Sequence, residues 1–199
     1  YEISECLVGS EMCIRDRDPD ATFMRMKEDA MLNGQLKPAY NIQHGVDSEY
    51  ITWIDISPRP TDTCTLIPFL KDMESHLGFK YSEIVADAGY ESEENYSYIE
   101  EHGQFAYIKP SNYEISKTRK YQADISNREN MVYDEEKDCY RCSQGNLLKA
   151  AGSKQRQTAS GYIATKVIYK CSDCTDCPVK GRCIKGNHWK VPESERFKS

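Results

Sequence analysis

Apolar and polar residues alternate through residues 39–57, and the alternation breaks once, at the polar residues 47–49. A period of two predicts strands with one buried face, and a short polar break between two such runs predicts a β-hairpin. The alternating positions of the two runs are Tyr40, Ile42, His44 and Val46, then Tyr50, Thr52, Ile54 and Ile56. Pro58 follows the second run, so the hairpin is expected to end there.

The pattern then changes to helical spacing. Apolar residues recur at positions 66, 67, 70, 73 and 77, with Asp62 placed to cap the helix and Gly78 to close it. Two short strands are predicted over residues 83–88 and 105–110, separated by a helix that Ser92 caps. The order hairpin, helix, strand, helix, strand predicts an α/β fold with a mixed sheet and flanking helices.

After Pro110 the helical pattern disappears and the chain becomes polar, basic and rich in cysteine. Residues 18–110 carry a net charge of −10, whereas residues 111–199 carry +6. We therefore expect two domains, 18–110 and 111–199, with candidate strands near residues 130–134 and 162–171. A basic segment can face phosphates, although an ordinary solvated surface explains the charge equally well.

The first seventeen residues, YEISECLVGSEMCIRDR, follow no folding pattern and resemble a translated sequencing-library adaptor. A natural N-terminus is the alternative. We interpret residues 1–17 as an artefact and leave them out of the fold. No apolar run in the chain approaches the length of a membrane span, and the mean hydropathy is −0.74, so a soluble protein without membrane partners is expected.

Cysteines cluster near the C-terminal end of the chain. Two C-x-x-C pairs occur within CSDCTDCPVKGRC, and Cys139 and Cys142 form another. Thiolates at this spacing can hold one tetrahedral Zn²⁺, which predicts a small structural, zinc-ribbon-like segment. The candidate ligands are Cys142, Cys171, Cys174, Cys177 and Cys183, and spacing alone does not choose four of them. A disulfide or an iron–sulfur cluster is the alternative, and lone Cys64 is expected to be buried.

Asp87 stands where the predicted strand of residues 83–88 ends. A carboxylate at the carboxyl end of a strand faces the edge where α/β sheets bind ligands, so Asp87 is a candidate Mg²⁺ ligand. An acid that only caps a turn is the more frequent case for such a residue.

Several motifs together resemble bacterial insertion-sequence transposases of the DDE type. They are DPDATFM, KPAYNIQHGVDSEY, DTCTLIPFL, VADAGYESEENY, AYIKP and YKCSDCTDCPVKGRC, in this order. The resemblance implies an RNase H-like core with three carboxylates and Mg²⁺, which cuts and joins DNA at transposon ends. It also implies a homo-oligomer in the bacterial cytoplasm for the complete enzyme, with Asp87 as the second catalytic aspartate.

By the same resemblance, the first aspartate belongs upstream of DPDATFM and the glutamate downstream of VPESERFKS. We therefore expect a truncated chain that is inactive alone, with an exposed sheet edge and poor solubility. A zinc-stabilised DNA-binding remnant and an RNase H-like nuclease are the alternatives. Candidate phosphate contacts are Lys149, Lys154, Arg156 and Lys166, for which a solvated loop is an equal alternative.

Overall fold

The computed structural model describes residues 18–25, 34, 36–171, 174, 176–183 and, for the backbone, 190–194. The chain divides into two compact units, Tyr1–Lys109 and Pro110–Ser199. The division falls at Pro110, where the composition changes along the sequence. Among the described residues, no helix is long and apolar enough to cross a membrane.

The first unit combines three two-stranded sheets with two main helices. Its strands are β1 Thr22–Arg25, β2 Leu36–Ala39, β3 Asn41–Asp47, β4 Tyr50–Ser57, β5 Glu83–Ala86 and β6 Phe105–Ile108, and its helices are α1 Leu66–Leu77 and α2 Glu93–Glu101. Short 3-10 helices occupy Asp62–Cys64 and Ala88–Tyr90. The pairs β1–β2 and β3–β4 are antiparallel, and β5–β6 is parallel. In the described residues the hairpin and the parallel pair form separate sheets, not the single mixed sheet that the sequence predicted.

The predicted hairpin is present, but the apolar face of its alternation is exposed. Ile42 pairs with Ile56, and both side chains are more than half exposed. The opposite face packs on α1, where Gln43 is buried and Gly45 lies directly under Phe69. A Cβ atom on Gly45 would stand 3.0 Å from Phe69 Cζ, so glycine allows this close approach.

Helix α1 ends as predicted, at Gly78 with a φ of 75°, whose N–H donates to the carbonyl of Glu74. Its beginning differs from the prediction. Thr65 is the residue before the helix, and Asp62 starts the preceding 3-10 helix without capping α1. The prediction for Cys64 is also wrong, because this side chain is exposed on the 3-10 helix.

The core of the first unit lies between the helices and one face of the parallel pair. Helix α2 connects β5 to β6, and Ser92 caps it by accepting the N–H of Asn95. The buried cluster consists of Leu66, Phe69, Leu70, Met73, Ile84, Ile99 and Ile108. Val85, Phe105 and Tyr107 on the other face of β5–β6 are exposed. The expectation of poor solubility stays a prediction.

The second unit is built on one antiparallel sheet with the order β11-β10-β9-β8-β7. Its strands are β7 Val132–Asp134, β8 Cys139–Arg141, β9 Leu147–Gln157, β10 Ile163–Cys171 and β11 Lys190–Ser194, and its short helices are α3 Tyr113–Ser116, α4 Arg119–Gln122 and α5 Lys180–Cys183. A 3-10 helix covers Arg128–Asn130. The solvated loop considered as the alternative for Lys149, Lys154, Arg156 and Lys166 is wrong, since the first three lie in β9, the longest strand described, and Lys166 lies in β10.

The core of the second unit is small. Five buried residues form it: Tyr140, Leu148, Val167, Tyr169 and Cys171. Two tyrosine hydroxyls, of Tyr133 and Tyr169, donate to Asp138 Oδ1 at 2.6 and 2.5 Å. This shared acceptor holds the β7–β8 turn to β10, where Tyr169 is fully buried. Beyond Leu148 the residues of β9 are exposed, whereas Ala164 and Val167, which pair with this part of β9, are buried on β10.

Candidate catalytic and metal-binding sites

Asp87 follows the last residue of β5, as the sequence predicted, and its side chain is exposed. Its Oδ1 accepts the N–H of Gly89 at 2.8 Å, which begins the 3-10 helix Ala88–Tyr90. This hydrogen bond uses one carboxylate oxygen and fixes the direction of the side chain. The carboxylate therefore combines the turn-capping role with an accessible position at the strand end.

A second carboxylate, of Asp62, lies beside Asp87. A Cβ atom built on Gly89 would stand 2.6 Å from Asp62 Oδ2 and 3.0 Å from Asp87 Oδ1, so these two oxygens are at most 5.6 Å apart. Asn41 Nδ2 donates to Asp62 Oδ1 at 2.6 Å. Fully buried Asn95 connects the two 3-10 helices, since its Nδ2 donates to the carbonyls of Thr63 and Tyr90.

Asp87 and Tyr90 border an open cleft of about 400 Å³, which we call the β3–β5 cleft. Residues of β3, α1 and β5 line it, among them Gln43, Phe69 and Ile84. Strand β3 pairs only with β4, and β5 only with β6, among the described strands. The cleft is thus bordered by two strands that each have one described neighbour.

Tyr90 connects this cleft to the two carboxylates. Its hydroxyl donates to Gln43 Oε1. Burial, and then the negative charges of Asp62 and Asp87, raise the pKa of Tyr90 to about 12. The neutral phenol is therefore the form that the folded protein favours.

Alkaline unfolding is expected to reveal this shift. Because the pKa of Tyr90 is raised on folding, its contribution to stability is complete below pH 10 and is lost as the pH rises from about 10 to about 12. We expect Tyr90→Phe to remove this part of the decline, measured by urea denaturation at several pH values. Tyr50→Phe, at a tyrosine that is 76% exposed, is the control. Parallel curves for wild type and Tyr90→Phe would contradict the assignment.

Five thiols gather in the second unit around a small cavity of about 20 Å³. They are the predicted candidates Cys142, Cys171, Cys174, Cys177 and Cys183, and none of the five is in a disulfide. Burial, then a hydrogen bond with Cys171 and the neighbouring thiols, raises the pKa of Cys174 to about 11. Cys139 is buried in β8 and does not line this cavity.

The predicted phosphate contacts lie on one face of the β9–β10 hairpin. Lys154 pairs with Lys166, Arg156 is two residues further along β9, and Lys149 pairs with Lys170. One extra residue in β9, between Ala150 and Ser153, shifts the register. Without this bulge, Lys149 would face away from Lys154, because alternate residues of a strand point to opposite faces. All five cationic side chains are exposed.

The sequence singled out Asp87 and the five thiols as candidates, but it did not single out Asp62 or Lys170. Asp62 and Asp87 are 25 positions apart in the sequence, and no local periodicity relates residues at that separation. The sequence therefore carried no signal that their side chains lie close together. Lys170 follows the alternation Lys166, Ile168, Lys170, which could have been found. In the described part of the chain, no three His, Cys, Asp or Glu side chains are placed to hold a metal ion as they stand.

Comparison with known proteins supports the family that the motifs resemble. Residues 11–169 match the transposase DDE domain. The match begins inside the segment 1–17, whose interpretation as an adaptor stays a prediction, and ends before the thiols of Cys171–Cys183. No curated protein and no solved structure matches the chain. Since the matched range covers well over half of the sequence, this chain belongs to the transposase DDE domain family.

Proposed function

We propose that the first unit is part of an RNase H-like catalytic core, and that Asp87 is a Mg²⁺ ligand in metal-dependent DNA cleavage and strand transfer at insertion-sequence ends. The observation that carries this proposal is the position of Asp87 at the carboxyl end of β5, exposed and bordering the β3–β5 cleft, in a chain of the transposase DDE family. Strand ends of this kind are where α/β sheets bind their ligands.

The donor set at this position fits Mg²⁺. The ion prefers oxygen ligands and takes one or two protein carboxylates, keeping water in its other positions. Asp87 supplies an exposed carboxylate, and Asp62 supplies a second one on the other side of Gly89. When bound, Mg²⁺ activates the attacking hydroxyl and stabilises the leaving oxygen of a phosphodiester. Asn41 and Gly89 keep the two carboxylates in place by donating hydrogen bonds to them.

The 199-residue chain alone is expected to bind DNA without joining it. Of the three family carboxylates, the resemblance identifies only Asp87 within residues 18–199. Asp62 lies beside Asp87, but the resemblance does not identify it as one of the three. Two other functions remain to be distinguished from transposition: hydrolysis by an RNase H-like nuclease, and DNA binding by a zinc-stabilised remnant. A complete enzyme of this family is also expected to assemble as a homo-oligomer.

A strand-transfer assay tests the function. The chain, and the longest protein that its source locus encodes, are incubated with labelled transposon ends and a target plasmid, with Mg²⁺ or with EDTA. We expect Mg²⁺-dependent joined products from the longer protein only. Hydrolysis without joining would favour the nuclease, binding without cleavage would favour the remnant, and joining by the 199-residue chain would contradict its predicted inactivity.

The exposed cationic face of β9–β10 is the proposed DNA contact of the second unit. Two like-charged pairs, Lys154–Lys166 and Lys149–Lys170, lie directly across the strands. Like charges in this arrangement destabilise a hairpin, and a phosphate near them removes the repulsion. The absence of a base-reading pattern in this stretch favours backbone contacts without sequence preference.

The salt dependence of DNA binding is expected to measure these contacts. The plot of log K against log salt has a negative slope. Lys154→Ala combined with Lys166→Ala should make this slope less steep by about two, because each phosphate contact contributes about one. Fluorescence anisotropy with duplex DNA at several salt concentrations gives the slope. Lys137→Ala, at an exposed turn lysine of the same unit, is the control. An unchanged slope in the double variant would place the contacts elsewhere.

The thiol cluster is proposed to hold a structural Zn²⁺. The fit rests on five cysteines that line one cavity and on the small core of the second unit, since a bound metal supplies folding free energy that such a core lacks. Zinc would hold the β8–β9 turn and the segment after β10 to helix α5. It takes no part in the proposed chemistry on DNA.

A further inference from the structure

We propose that one zinc ion is held by four of the five thiols, Cys142, Cys174, Cys177 and Cys183, and that Cys171 is not a ligand. This inference rests on the structural zinc proposed above and deepens it by choosing the ligand set. The choice follows from the position of each thiol in the fold, which the spacing in the sequence does not reveal.

Cys171 belongs to the core face of β10. Buried residues alternate along the end of this strand at Val167, Tyr169 and Cys171, which are 8%, 0% and 3% exposed. Cys171 also pairs across the sheet with Leu148, another fully buried residue. A side chain in this row is fixed by the sheet and packs as a small apolar group. Its thiol makes a hydrogen bond with Cys174, which suits a neighbour of a zinc-bound sulfur.

The other four thiols lie outside the strands, where the backbone can aim sulfur atoms at one point. Cys142 begins a tight turn, in which the N–H of Gly145 donates to its carbonyl at 2.9 Å and its own N–H donates to the carbonyl of Asn146. Cys174 and Cys177 form a C-x-x-C pair, the spacing of a zinc knuckle. Cys183 ends helix α5, and all four are half-buried.

The surroundings of the cavity suit an ion with four thiolates. Zinc with four cysteine ligands carries a net charge of −2, which needs cationic or N–H groups nearby. Lys180 lines the cavity, and Arg182 lies on the same short helix. The volume of about 20 Å³ is enough for one small ion or one water molecule. A tetrathiolate site would join the β8–β9 turn, the segment after β10 and helix α5.

Zinc content and affinity of the whole 199-residue chain test the ligand set. The chain is purified reduced, loaded with ZnSO₄, desalted and analysed for metal, and affinity is measured by competition with a chromophoric chelator. We expect one zinc per chain in the wild type and in Cys171→Ala. Cys177→Ala should bind zinc at least about a hundredfold more weakly. It loses a direct ligand, and the loss of a group that only supports a ligand already lowers metal affinity by about ten- to a hundredfold.

Alkylation of the wild-type chain keeps the test valid if a variant fails to fold. The chain is treated with iodoacetamide and the alkylated cysteines are mapped by mass spectrometry. Cys177 should be protected when zinc is present and should react when a chelator is added, whereas exposed Cys64 should react in both cases. Zinc lost in folded Cys171→Ala but retained in Cys177→Ala would overturn this ligand set and leave the zinc proposal standing. No bound zinc and an alkylation pattern unaffected by zinc would overturn both.

Discussion

Asp87→Asn is expected to reduce Mg²⁺-dependent strand transfer by the complete enzyme at least about a hundredfold. Removing a group that only supports a metal ligand already lowers metal affinity or activity by about ten- to a hundredfold, and Asp87 is the proposed ligand itself. Asparagine keeps an oxygen that can accept the N–H of Gly89, now at 2.8 Å from Asp87 Oδ1. The substitution therefore removes the charge that Mg²⁺ requires and leaves the local turn intact.

Asp72→Asn is the matched control for this experiment. Asp72 is an exposed carboxylate on helix α1 that accepts a hydrogen bond from Trp53 Nε1 at 3.1 Å, and asparagine preserves that acceptor too. We expect wild-type activity from Asp72→Asn, with joined products quantified on gels at several Mg²⁺ concentrations. Equal activity of Asp87→Asn and wild type would remove Asp87 from the catalytic site. Equal loss in both variants would indicate a general loss of folding.

The largest expected effect on stability is that of Ile99→Ala, which should lower the free energy of unfolding of the first unit by about 2–5 kcal/mol. Ile99 is fully buried on α2, in the cluster with Leu70, Met73 and Ile108. Truncation removes apolar contacts and leaves a cavity that the helices and the parallel strands cannot fill without moving. Urea denaturation followed by circular dichroism measures the change.

Ile56→Ala provides the comparison, because it removes the same atoms from a side chain that is 61% exposed on the hairpin. We expect this variant to stay within about 0.5 kcal/mol of the wild type. A loss at Ile56 as large as the loss at Ile99 would mean that the exposed hairpin face is covered in solution. The pair thus tests the assignment of the buried and exposed faces as well as the core.

Local signals in the sequence predicted much of the first unit. The hairpin, Gly78 at the end of α1, Ser92 before α2 and the short strands near Asp87 all agree with the structure, because each depends on residues a few positions apart. The prediction that Asp62 caps helix α1 failed because the contact of this side chain is not local. Its side chain bonds Asn41, 21 residues away, and so no local capping rule describes it.

By itself, the sequence determined the family, the position of Asp87 at a strand end and the set of thiols available for a metal. Alternation, helical spacing and motif order carry this information, since each is a property of neighbouring residues. Only the tertiary structure decided which hairpin face packs on α1, that Asp62 stands beside Asp87, and that a one-residue bulge brings Lys149 to the face of Lys154. These features depend on contacts and registers between distant segments, which a linear pattern does not encode.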